Sequence, residues 1–181
     1  DADLFIIDDG AGGTNRKTAA SRLKTYIGGG AGTPYFHAKL TSNQSVTDNT
    51  STQIAFDTAT LDSASGFTTG ASAKYTIPSG EGGIWFIKLG VECDGGGAGT
   101  LNEGRAWIKI EGNNKFRTIM GLASNPGDII QCTAVCIYNV SAGDEITFFG
   151  LTDTTGSGQR FNGSSDYNET SVIGFKLAWV N

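Results

Sequence analysis

From Pro34 onward the chain shows almost no apolar repeat at helical spacing. Short β-branched and aromatic stretches recur instead, separated by glycine, asparagine, aspartate and serine. The clearest are Tyr35–Leu40, Gln53–Phe56, Lys74–Ile77, Ile84–Cys93, Arg105–Ile110, Phe116–Met120, Ile129–Val140, Glu145–Leu151 and Ser171–Val180. Strands that follow one another without helices must pack sheet on sheet, so the expected fold is all-β, a jelly-roll β-sandwich. Asn113-Asn114 and Ala142-Gly143-Asp144 are the expected hairpin connections, because asparagine and glycine tolerate positive φ.

Strand parity adds a second constraint. In Ile84–Cys93, Trp85, Ile87, Leu89, Val91 and Cys93 form an unbroken apolar face, while the opposite face is apolar only at Ile84 and Phe86. In the last strand Ile173, Phe175, Leu177 and Trp179 make one face, and Val172, Gly174, Ala178 and Val180 leave the other largely apolar despite Lys176. Ile129–Val140 is two-sided as well, with Cys132, Ala134, Cys136 and Tyr138 opposite Val135 and Ile137. A sandwich with one solvated face per sheet alternates apolar and polar residues, so something covers the outer face here. The economical cover is the same sheet of a neighbouring copy in a closed ring. The other cover is a loop or the N-terminal segment. The expected interface residues are Ile84, Phe86, Tyr138, Val172, Gly174 and Ala178.

Residues 1–33 read differently. Leu4-Phe5-Ile6-Ile7 is a short strand closed by a glycine-rich turn, and Arg16 to Ile27 places Ala19, Leu23 and Ile27 on one helical stripe flanked by Tyr26. The run Gly28-Gly29-Gly30-Ala31-Gly32 reads as a hinge. A strand plus one helix cannot bury itself, so this unit is expected to attach to a neighbour through Leu4, Ile6, Leu23, Tyr26 and Ile27. Domain boundaries of 1–33 and 34–181 follow. No leader pattern opens the chain, and a mature product or a fragment is expected.

Several segments, in order, resemble the globular head of complement C1q and the related tumour-necrosis-factor cytokines. They are Tyr35-Phe36-His37-Ala38-Lys39-Leu40, Ile54-Ala55-Phe56-Asp57, Tyr75-Thr76-Ile77-Pro78 with Gly83-Ile84-Trp85-Phe86, Ala142-Gly143-Asp144-Glu145-Ile146 and Ser171-Val172-Ile173-Gly174-Phe175-Lys176-Leu177. The resemblance implies a jelly roll that assembles as a tight homotrimer. Val172 departs from it, standing where the family usually has an aromatic. The N-terminal stretch, with Leu4-Phe5-Ile6-Ile7-Asp8-Asp9-Gly10, Arg16-Lys17-Thr18 and Leu23-Lys24-Thr25-Tyr26-Ile27, is similar to linker segments of tailed-phage structural proteins. That likeness implies a virion protein assembled in the host cytoplasm. Its head would sit at a tail-fibre or knob tip and bind the host surface; the alternative is a trimeric capsid decoration or cement protein.

The residue inventory narrows the chemistry. A Ser-His-Asp triad would have to pass through His37, the one histidine, which reads as a packed or partly exposed strand residue. No acidic residue sits in a distinctive catalytic motif, so no enzymatic activity is expected. Gly95-Gly96-Gly97-Ala98-Gly99-Thr100 lacks the lysine of a phosphate loop. Cys132 and Cys136 share a strand face about 13 Å apart, too far to bond, and all three cysteines, Cys93 included, read as buried free thiols. No cofactor is expected. Calcium, held by some members of the resembled family, would draw on the loop carboxylates Asp94, Asp153 and Asp166, which by default are solvated charges. A net charge of −5 argues against nucleic acid, and no apolar run reaches the ~18 residues of a membrane span. The expected partners are copies of the chain, other virion proteins, and a host glycan or protein. Trp107, expected to point outward from Arg105–Ile110, and Arg160, Phe161, Asp166 and Tyr167 in the 152–168 loop are the ligand-binding candidates.

Overall fold

The computed structural model describes residues 4–7, 16–19, 32–122 and 126–178. The chain divides into two compact units, Asp1–Thr33 and Pro34–Asn181. In the first, strands β1 (Leu4–Ile7) and β2 (Arg16–Ala19) pair antiparallel, Leu4 opposite Ala19 and Ile7 opposite Arg16. This corrects the helix expected from Arg16. The apolar helical stripe begins only at Ala19, so no repeat holds residues 16–18 in a helix, and pairing with Leu4–Ile7 satisfies their backbone groups. The rest of that expected helix, with Leu23, Tyr26 and Ile27, lies outside the described residues.

The second unit is built from strands alone among the described residues. In chain order they are β3 (Tyr35–Lys39), β4 (Gln44–Ser45), β5 (Thr52–Gln53), β6 (Thr58–Asp62), β7 (Phe67–Thr68), β8 (Lys74–Thr76) and β9 (Gly83–Asp94). Then come β10 (Leu101–Ile110), β11 (Asn113–Gly121), β12 (Ile129–Val140), β13 (Glu145–Thr154), β14 (Arg160–Phe161) and β15 (Ser171–Ala178). One sheet runs β11-β10-β13-β8-β7, with β5 also on β13. The other runs β6-β3-β15-β9, with β12 on the opposite edge of β9; β14 pairs with the end of β9 on the edge that β15 shares, and β4 pairs with β14. All pairings are antiparallel.

Alternation places the core. Trp85, Ile87, Leu89, Val91 and Cys93 of β9 face Ala106, Ile108 and Ile110 of β10 and Ile146 and Phe148 of β13, all buried. Aromatic rings fill one end, where Phe36 stacks on Tyr75 at 4.1 Å and Tyr75 meets Trp85 at 5.4 Å. Gly174 of β15 makes this stack possible, since a Cβ there would overlap the Phe36 ring. The β10–β11 hairpin turns at Glu111-Gly112, both at positive φ (51° and 71°), as a two-residue hairpin of this hand requires. The expected Asn113-Asn114 turn is therefore corrected: those residues open β11. The connection between β12 and β13 does run through Ala142-Gly143-Asp144.

Candidate functional site

The face of the β9 sheet turned away from the core is where the two-sided strands meet. Antiparallel partners share a face, so the register lays its residues out in rows. Tyr35, Phe175, Phe86 and Ile137 form one row across β3, β15, β9 and β12. His37, Ile173, Lys88 and Val135 form the next, and Lys39, Ser171, Gly90 and Thr133 the third. The first row is wholly apolar, with Phe86 and Phe175 stacked at 5.1 Å. Ile137 is 61% exposed and Phe175 38%, and Tyr35, Val135, Leu61 and Leu177 also keep large exposed fractions.

Of the six expected interface residues, Val172 and Gly174 are corrected: both are buried in the sandwich, Gly174 against the Phe36 ring. On β15 Gly174 faces inward, where Phe36 fills the space above it, and the bulky Ile173, Phe175 and Leu177 face outward. Tyr138 is corrected too. It pairs with buried Trp85 and packs inward against Phe116, ring centroids 6.1 Å apart, with Lys115 over its ring. Ala178 starts on the inward parity, but a register shift after Lys176 sets it opposite Ile84, on the outer face. Ile84 and Phe86 lie on the outer face, opposite Ala178 and Phe175. Lys176 is accommodated inside by Glu81, Nζ to Oε2 3.2 Å, and burial lowers its pKa.

The ligand candidates separate in the same way. Trp107 does sit opposite Ala106 and Ile108, but it is only 7% exposed, so the expectation of an open aromatic is corrected. Its register neighbours Arg117 and Phe149 flank it, and Lys109 Nζ lies 3.6 Å above the Phe149 ring. Phe161 is corrected to the core, where it packs over Gly150. Arg160 holds the loop down: Nη2 donates to Asp94 Oδ2 at 2.6 Å and Nε to Asn162 Oδ1 at 3.0 Å, while Asn162 Nδ2 donates to Glu92 Oε1 at 3.0 Å. Asp166 is exposed and Tyr167 is 70% exposed, so these two remain open to a ligand.

Asp94 is thus engaged by Arg160, and among the described residues no three His, Cys, Asp or Glu side chains stand close enough to share a metal ion. His37 is half-buried, its Nδ1 hydrogen-bonded to Thr60 Oγ1, and burial with the charge of Lys39 lowers its pKa. Cys93, Cys132 and Cys136 are buried free thiols. Burial pushes Cys136 up to about 12. Cys93 and Cys132 meet across β9 and β12 against Gly104 and share a hydrogen bond that raises the first and lowers the second. That meeting is visible only in the register, where Cys93 opposes Ile130 and Cys132 opposes Val91.

The fold is the jelly roll of C1q and tumour-necrosis-factor head domains. The globular domain of a zebrafish complement 1qA protein matches with a TM-score of 0.56 and 11% identity, covering 82% of this chain and 99% of that one. Murine APRIL matches at 0.55 and 14%, covering 80% and 99%. The Eiger TNF of S. frugiperda matches at 0.56 and 15%, covering 82% and 94%. No family model and no curated protein matches the sequence.

Proposed function

We propose that residues 34–181 form the head of a homotrimeric, non-enzymatic tailed-phage virion protein, set at a tail-fibre or knob tip and binding the host cell surface. The observation that carries the assembly is the row Tyr35-Phe175-Phe86-Ile137, continued by Ile173, Val135, Leu61 and Leu177. With aromatic and aliphatic side chains of roughly 150–200 Å² each, the exposed fractions sum to about 600 Å² of apolar surface on one face. That is at the upper limit of what a monomer leaves open and close to one partner's share of a standard interface, about 800 Å². Copies of the same sheet about a threefold axis bury it, as the likeness to trimeric head domains implies.

With that face occupied, host recognition falls to the loops, where Asp166 and Tyr167 offer a carboxylate and an aromatic plate to a glycan or protein. Three copies multiply a weak contact. The N-terminal unit joins the head to other virion proteins, in keeping with the likeness of its sequence to phage linkers. Electron microscopy of the intact particle tests the assignment. Threefold knobs of this fold at fibre tips are expected. The same density on the capsid lattice would instead make the chain a decoration or cement protein, and its absence from the particle would overturn both.

A further inference from the structure

The outer face of the β9 sheet changes character one row from the apolar belt. Lys88 stands between Ile173 and Val135 in the second row, exposed in the single chain. Beside it opens a well of about 330 Å³ lined by Lys88, His37, Gln131, Thr133, Asn168 and Ser171, with no carboxylate side chain in its wall. This is unexpected in a chain with 18 acidic residues against 13 lysines and arginines. The charged neighbours are committed elsewhere. Lys39 Nζ donates to the Ser165 carbonyl at 2.7 Å, and Glu92, further along the same face of β9, accepts from Asn162. Lys88 makes no ion pair among the described residues.

A copy that covers Phe86, Ile137 and Phe175 must also cover Lys88, which is flanked by apolar neighbours in its own row. Burying an ammonium without a counter-charge is unfavourable, and gathering three like charges about one axis is more so. Gln131 Nε2 donates to the Glu169 carbonyl at 3.3 Å and Ser171 Oγ to the Asn168 carbonyl at 3.5 Å, which leaves Lys88, the Thr133 hydroxyl and the Asn168 amide, with no acid in the wall, as the donor set of an oxyanion site. Resting on the homotrimer proposed above, we infer that the assembled protein binds a small multivalent oxyanion in the wells around Lys88, a site that is open in the single chain and enclosed when partner copies close over it.

The test compares the whole protein in sodium sulfate, sodium phosphate and sodium chloride at equal ionic strength, by sedimentation velocity and thermal unfolding. Both are repeated on Lys88→Met, which keeps an unbranched side chain at an exposed position. The expected result is a trimer whose unfolding midpoint rises saturably with millimolar sulfate or phosphate over the chloride control. In Lys88→Met the trimer persists and only the general salting-out trend of sulfate is left. Equal responses of the two proteins, both trimeric, would overturn the anion site and leave the trimer standing. A wild-type chain that sediments as a monomer in all three salts would overturn the assembly itself.

Discussion

Replacing Ile137 with aspartate separates the assembly from the fold. Ile137 points away from the core, opposite Phe86, and is 61% exposed in the single chain. Fully burying an isoleucine side chain is worth about 2–3 kcal/mol, so association buries about 1.5 kcal/mol of it per chain. Three chains lose about 4–5 kcal/mol, roughly three decades in the trimerisation constant, before any charge term. The new carboxylate then meets Phe86, Phe175 and a partner's apolar belt, a further cost that Lys88, one row along β9 on the same face, offsets only in part. The isolated sandwich loses only a strand preference of about 1 kcal/mol or less, because the position is solvated there. Sedimentation velocity between micromolar and tens of micromolar, with far-ultraviolet circular dichroism on the same samples, reads both effects. The expected outcome is a folded monomer where the wild type is a trimer. Ile137→Ser, which omits the charge, gives an intermediate weakening, and Arg117→Asp on the other sheet leaves assembly unchanged. A trimer of Ile137→Asp with unaltered concentration dependence would refute the assignment of this face.

Other consequences follow from the core. Gly174→Ala drives a methyl into the Phe36 ring and is expected to cost about 1–3 kcal/mol, seen as a lower unfolding midpoint. Tyr75 buries its hydroxyl with no hydrogen-bond partner among the described residues, so Tyr75→Phe is expected to hold or raise the melting temperature, by up to about 1–2 kcal/mol of stability. Arg160→Ala strands the buried Asp94 carboxylate; because Arg160 is itself partly exposed, the loss is about 1–2 kcal/mol, measured by urea unfolding. Cys136 holds its proton to about 12 in the native state against an ordinary 9. Its contribution to stability is therefore complete below pH 9 and is lost as pH rises from about 9 toward 12, and the native thiol resists alkylation at pH 8.

The all-β jelly roll was legible because strand alternation and turn residues carry it. The inner faces of β9 and β10 follow directly from Trp85 to Cys93 and from Ala106 to Ile110. The last strand was not legible in this way. Both its faces are apolar, and which one turns inward depends on Phe36 filling the space over Gly174, a contact between residues far apart in sequence. Tyr138 follows the same logic, its direction set by the register with Trp85. Alternation placed Trp107 correctly but said nothing of the neighbours that cover it. Phe161 and Arg160 sit in a loop with no period, so their engagement with Gly150 and Asp94 had no sequence signature. The well around Lys88 arises only when four strands are laid side by side.

The mass of the wild-type particle bears most directly on the account. Light scattering coupled to size exclusion, at micromolar protein, is expected to give three times the 18.9 kDa of the chain. A single-chain mass across that range, with the belt from Tyr35 to Ile137 left in water, would contradict it.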